Sequence, residues 1–211
     1  MFKRLLGEGK NHTLRIAELT LILNILLGIG KLAVGIFSRS FFVCVSGFYT
    51  FGMAAAKCFA LSGIIKSKTE KQQRLKYKLT AATLIIASLI YIGYSTRLFF
   101  YPQTGEYSIY TGLLIAAFTF TELVLNIRGV ILERKSNSPL FHALKTVSLA
   151  STLICLVLTQ TAILSFADPQ LEAQPAANGL MGVLMGTAAM VLGILMLVRG
   201  RRLEGQLDTD C

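Results

Sequence analysis

Charge is scarce in this chain. Of its 211 residues only 15% are Asp, Glu, Lys or Arg, while 54% are hydrophobic. With a mean hydropathy of +0.62, that balance excludes an ordinary soluble domain and points to a polytopic membrane protein. Histidine is rarer still. His12 and His142 are the two present, and neither has a second His at ligand spacing. Of the four cysteines, Cys44, Cys58 and Cys155 lie inside apolar runs and Cys211 ends the sequence. They form neither a metal-ligand spacing nor a disulfide framework, so they read as small hydrophobes. No nucleophile–base pair or metal cluster is visible, so an enzyme is not expected and no cofactor is called for. Gly7-Glu8-Gly9 and Gly28-Ile29-Gly30 are not phosphate loops, because no strand precedes them and no Lys-Ser/Thr follows.

The sequence does contain long apolar runs. Six candidate spans read roughly Leu14–Phe37, Phe41–Ile65, Leu79–Tyr101, Ile109–Ile131, Leu144–Phe166 and Leu180–Val198. Each is close to or above the ~20 residues that cross a bilayer as a helix. They are apolar nearly all round and do not alternate, so a barrel is not expected. The first run has no small-residue cleavage site behind it and passes through Ser38-Arg39-Ser40 into the next run, as a mature helix does. The predicted fold class is therefore all-α, a six-helix transmembrane domain over 14–198. A short N-terminal segment, 1–13, precedes it and a short tail, 199–211, follows it. The tail is expected to be disordered.

The formal net charge of +10 is not spread evenly. Lys3, Arg4, Lys10 and Arg15 precede the first span, and Lys66, Lys68, Lys71, Arg74, Lys76 and Lys78 separate the second from the third. Arg128, Arg134 and Lys135 close the fourth, and Arg199, Arg201 and Arg202 follow the sixth. These segments share one side of the membrane. The other side holds Arg39, Arg97, Glu106, Asp168 and Glu172. This positive-inside pattern predicts cytoplasmic N and C termini and argues against nucleic acid as a partner. The loop KSKTEKQQRLKYK reads first as a topology signal and is also placed to touch anionic lipid headgroups. The localisation that follows is a plasma membrane, with a bacterial inner membrane suggested by small size and no targeting signal.

Connections are short. Three residues, Ser38-Arg39-Ser40, join the first two spans as a tight hairpin, and PQTGEYS and ADPQLEAQPAANG are the outer loops. In ERKSNSPLFH, Ser138-Pro139 reads as an N-cap and first helical position. Gly52, Ala56 and Ala60 form one small-residue stripe, and Gly182, Gly186, Ala189 and Gly193 another. Such stripes let membrane helices approach closely, either within a protomer or across a dimer.

One carboxylate stands out. Glu122 lies near the middle of the fourth run, where an acid needs a partner, a proton or a function. It sits nine residues from the run's inner end at Ile131, and Lys57 sits eight from the inner end at Ile65. Matching depths make Lys57 an expected partner of Glu122, with the shallower Lys145 as the other. Three roles stay open for Glu122: a static ion pair, a proton- or substrate-coupling carboxylate, or an acid facing a wet cleft. Lys31, in the outer third of the first run, reads as structural or lipid-facing. Tyr49, Met53 and Lys57 recur every fourth residue and read as packing or as a cavity wall. Asn126, one turn from Glu122, joins the candidates.

From Asn24 the chain runs NILLGIGKLAVGIFSRSFFVCVSGFYTFGM. The order Asn24, Lys31, Gly35, Ser38, Ser40, then a second helix, resembles the first hairpin of the cation diffusion facilitator family. Asn126, the Ser138-Pro139 approach and the last loop and helix, with its Asp-Pro, extend the resemblance over nearly the whole membrane portion. It implies a six-helix, dimeric transporter that exchanges divalent metal for protons. The metal ligands it implies are missing. The family's acidic and His positions fall here on Ser46, Tyr49 and Met53 in the second helix and on Val147 and Ser151 in the fifth. No His or acid lies between Lys145 and Phe166, and the family's soluble metal-binding domain has no counterpart. The resemblance therefore implies a homodimeric secondary transporter of altered specificity, its cargo unknown and no metal bound at the usual site. The alternative is a non-transporting scaffold or regulatory partner that kept the fold.

Overall fold

A computed structural model describes residues 2–67, 69–100, 109–133, 138–167 and 174–208. The loop residues Glu106, Asp168 and Glu172, the terminal Cys211 and the side chain of His12 lie outside what is described. The described residues form six helices: α1 (Phe2–Phe37), α2 (Phe41–Lys66), α3 (Glu70–Phe100), α4 (Ile109–Glu133), α5 (Pro139–Ala167) and α6 (Gln174–Asp208). Several run past their apolar cores. α1 begins at Phe2, inside the expected N-terminal segment, and α6 continues to Asp208, through most of the expected disordered tail. At 1.5 Å per residue the 36 residues of α1 reach about 54 Å, well beyond a ~30 Å hydrocarbon layer. Five helices contain apolar windows long enough to cross a membrane, those of α1, α2, α3, α5 and α6.

The distribution of side chains is that of a membrane bundle. Large apolar residues face outward on every helix, among them Leu26, Phe48, Ile90, Phe120, Ile163 and Leu195. Polar ones turn inward: Asn24, Lys31, Ser46, Thr50, Lys57, Ser88, Glu122, Asn126 and Ser151 are all buried. A water-soluble chain could not leave so much apolar surface exposed.

α2 and α5 form the centre, with 50% and 67% of their apolar windows buried, against 28–33% for the windows of α1, α3 and α6. α1 and α4 pack together on one flank, and α3 and α6 on the other. Neighbours run antiparallel. Along α2 and α3, Gly52 meets Ala87 and Gly63 meets Lys76; along α3 and α6, Ser95 meets Gly182 and Ile85 meets Gly193. Gly30 on α1 meets Phe118 on α4, and Gly63 on α2 meets Leu140 on α5. The starts of α1, α3 and α5 and the ends of α2, α4 and α6 therefore share one end of the bundle. That end carries Lys66, Lys71, Arg74, Lys76, Lys78, Arg128, Arg199 and Arg201, and we call it the basic end.

The α1–α2 turn is a Schellman closure. Ser40 N donates to Gly35 O at 2.8 Å, Arg39 N donates to Ile36 O at 3.2 Å, and Arg39 occupies the left-handed position at φ 52°. Ser40 then caps α2, its Oγ accepting from Val43 N at 3.4 Å. Gly35 is required here: a Cβ would stand 2.6 Å from Cys44 Sγ and 2.8 Å from Cys44 N. At the other expected cap, α5 starts at Pro139 with His142 N bonded to Ser138 O. Both small-residue stripes are used inside the chain. Gly182, Gly186 and Gly193 abut Ser95, Ile92 and Ile85 of α3, and Ala56 and Ala60 are fully buried.

Candidate functional site

Four helices deliver one ionic layer. Glu122, 1% exposed on α4, is the one acid among the buried described residues. Its Oε2 pairs with Lys31 Nζ from α1. Its Oε1 accepts from Ser151 Oγ on α5 at 3.0 Å. Lys31 Nζ also donates to Thr50 Oγ1 on α2 at 3.1 Å. The Thr50 hydroxyl proton has two acceptors, Ser46 O at 3.0 Å and Glu122 Oε1 at 3.5 Å, and the shorter contact holds it better. A carboxylate and an ammonium taken out of water are thus both paired and hydrogen-bonded, the condition for tolerating them there.

A second layer lies one turn nearer the basic end. Lys57 Nζ on α2 donates to Asn126 Oδ1 on α4 at 2.9 Å. Asn126 follows Glu122 by four residues, so the two stack on one face of α4. Asn24 lies on α1. It precedes Lys31 by seven residues on α1, as Lys57 follows Thr50 by seven on antiparallel α2. Asn24 is fully buried, and neither its Nδ2 nor its Oδ1 has a hydrogen-bond partner; Asn126 Nδ2 has none either. Buried polar groups normally find partners, so these three amide atoms are exceptions.

The pairing corrects the depth argument. Glu122 pairs with Lys31, while Lys57 bonds Asn126. Helical side chains tilt toward their own helix N-terminus. Lys31 therefore leans toward the basic end and Glu122 away from it, and on antiparallel helices the two lean toward each other. Of the two roles expected for Lys31, structural or lipid-facing, its 3% exposure removes the second. Lys145 lies elsewhere, in a groove between α5 and α6.

The stripe of Tyr49, Met53 and Lys57 also divides. Each four-residue step overshoots a full turn by about 40°, so Lys57 has rotated about 80° from Tyr49. Lys57 joins Ser46 and Thr50 on the face toward α1 and α4. Tyr49 and Met53 sink into one apolar cluster with Val147, Ala150 and Tyr91. The Tyr49 and Tyr91 rings stack at 5.4 Å, tilted by 57°, and Tyr49 OH approaches Ala150 O at 3.5 Å. Of Ser46, Tyr49, Met53, Val147 and Ser151, Ser151 alone bonds the ionic layer through its side chain. Ser46 contributes its carbonyl, while its buried Oγ has no partner. Among the described residues no three His, Cys, Asp or Glu side chains converge as a metal site would require.

Thr50 is the residue that sequence reasoning missed. Its signal was present: it follows Ser46 by four and precedes Lys57 by seven, a polar line along one helix face. No family model and no curated protein matches the chain.

Proposed function

We propose that the chain is a secondary transporter of the inner, plasma membrane. It would cross six times with both termini cytoplasmic and act as a homodimer, with a specificity altered from that of the cation diffusion facilitators it resembles. α4 serves as the sixth span: it has 25 residues, packs on α1 and α5, and presents Glu122 and Asn126 inward. The basic end then faces the cytoplasm, as the positive-inside rule requires.

The observation that carries this reading is the buried Lys31–Glu122–Ser151 layer with the Lys57–Asn126 pair one turn nearer the basic end. Intramembrane ionisable groups that face the bundle interior mark substrate and proton routes. Two buried lysines against one buried acid leave the interior formally cationic, which repels a divalent metal and favours an anion or a neutral hydrogen-bonding cargo. In this reading Glu122 is the coupling carboxylate and Lys31 its counter-ion in the closed state, with Met53 fully buried and Tyr49 nearly so.

The scaffold reading draws on the same closure, because Tyr49, Met53 and Val147 are packed as an ordinary core. Reconstitution separates the two. Purified chain is placed in vesicles with a trapped pH dye and offered zinc, chloride, phosphate, sulfate and acetate in turn. Transport predicts that an anion drives proton movement and that Glu122→Gln abolishes it while the protein stays folded. Absence of flux with every probe, or equal flux in wild type and Glu122→Gln across pH, would overturn the transport reading. Zinc-driven flux would overturn the altered specificity.

A further inference from the structure

A groove of about 610 Å³ opens between α5 and α6 near the basic end. Its walls are of two kinds. Toward the end of the bundle it is cationic: Lys145 and Arg199 face it, with His142 and Thr146 between them. Toward the middle it is apolar, lined by Leu149, Leu192 and Leu195. Leu149 is 39% exposed and Leu195 58% exposed, so the apolar half is continuous with the outward face of the bundle. We propose that this groove binds an anionic phospholipid, its phosphate between Lys145 and Arg199 and an acyl chain along the leucines.

The geometry fits that occupant in three respects. First, the helical spacing makes two continuous walls. His142, Lys145, Thr146 and Leu149 share one face of α5, and Leu192, Leu195, Met196 and Arg199 share one face of α6. Second, the depth is that of a headgroup. Lys145 is six residues into α5, about 9 Å from its start. Arg199 lies in the last turn of the apolar window of α6. Third, the cation is preset. Arg199 Nη1 donates to His142 Nε2 at 3.1 Å. That leaves the proton of the neutral ring on Nδ1, 3.5 Å from Thr146 Oγ1, which itself is tied to His142 O at 2.9 Å. The contact fixes one edge of the planar guanidinium, and its remaining donors suit a phosphate. Cations predominate around it, since Lys66, Lys71, Arg74, Lys76, Lys78 and Arg201 stand at this end against acids such as Glu70. Basic pockets between helices at the cytoplasmic face suit such headgroups. The proposal rests on the membrane-spanning reading but not on transport.

The test compares lipids on the full chain purified in detergent. Native mass spectrometry and thermal shift are read with phosphatidylglycerol, phosphatidylcholine and inorganic phosphate. Phosphatidylglycerol is expected to bind and to raise the melting temperature well above phosphatidylcholine. Lys145→Gln with Arg199→Gln should weaken it about thirtyfold, about fivefold per cation. Leu195→Trp, which fills the apolar mouth and keeps both cations, should also lose it. Arg97→Gln, at the other end of the bundle, should leave binding within about twofold. Equal binding of the two lipids, retention of phosphatidylglycerol by the Lys145/Arg199 double variant, or equal stabilisation by inorganic phosphate would each overturn the proposal. So would a delipidated dimer that Leu195→Trp breaks into monomers, since a second copy would then fill the groove.

Discussion

Removing one partner of the Lys31–Glu122 pair exposes what the pair contributes. Lys31→Met leaves the Glu122 carboxylate buried with hydroxyl donors, Ser151 at 3.0 Å and Thr50 at 3.5 Å. Glu122→Gln leaves the Lys31 ammonium with Thr50 Oγ1 at 3.1 Å and an amide oxygen. In each case an uncompensated charge stays inside the bundle, and each variant should lose about 3 kcal/mol. The double variant holds no charge at this level. The amide introduced at position 122 keeps Ser151 as a partner, and the methionine side chain fills the space of the lysine stem, so its loss should be about 2 kcal/mol. The coupling is then about 4 kcal/mol, from 3 and 3 less 2, above the ~0.5 kcal/mol at which independent sites add. The assay is reversible unfolding in mixed micelles titrated with dodecyl sulfate, followed by circular dichroism. A second cycle, Lys57→Met with Glu122→Gln, should couple by less than about 1 kcal/mol, because Lys57 bonds Asn126 instead. Additive Lys31 and Glu122 variants, or a larger coupling through Lys57, would refute the assignment of the partner.

Local geometry sets three further outcomes. Gly35→Ala pushes a Cβ into the backbone of Cys44, 2.8 Å from its N, and should destabilise by about 2 kcal/mol in the same titration. Arg39→Gly keeps the Schellman closure, relieves the positive φ of a side-chain-bearing residue and should stabilise by about 1 kcal/mol. Asn24→Leu removes a fully buried amide that lacks partners; stability should hold or rise by about 1 kcal/mol. In vesicles the same variant should lose the anion-driven proton movement, whereas a purely structural Asn24 would leave it intact.

Most of the fold was legible because lipid enforces simple rules. With no water in the hydrocarbon, the backbone must satisfy itself, so each apolar run of about twenty or more residues becomes a helix. The hairpin at Ser38-Arg39-Ser40 and the start at Pro139 followed from residues whose backbone preferences are strong. Helix ends were less legible. The first turns of α3 and the last of α6 are charged, and hydropathy ends a span where the hydrocarbon ends, while backbone hydrogen bonding continues into the headgroups. The small-residue stripes were legible as contacts but not as to partner. That choice rests on the pairing of Gly182, Gly186 and Gly193 with α3, a long-range fact that no local spacing encodes.

Glu122 was legible as a site residue and its lysine partner was not, and the reason is directional. Counting residues from a span's end locates a Cα, whereas a lysine carries its charge several ångströms away along a tilted Cα–Cβ bond. On antiparallel helices that tilt brings Lys31 and Glu122 together although their backbone depths differ. The same geometry keeps Lys57 in reserve. On α2 its stem tilts away from the basic end, toward the level of Glu122, yet it stops at Asn126, the residue one turn short. Glu122 is therefore flanked by one lysine it bonds and one held by its neighbour. On the proposed transport reading, an exchange of the carboxylate between these two cations would serve an alternating-access cycle, because the carboxylate would never be left unpaired in hydrocarbon. On that reading the Asn126 amide, whose Nδ2 is buried without a partner, is where a cargo would bind once Lys57 turned toward Glu122.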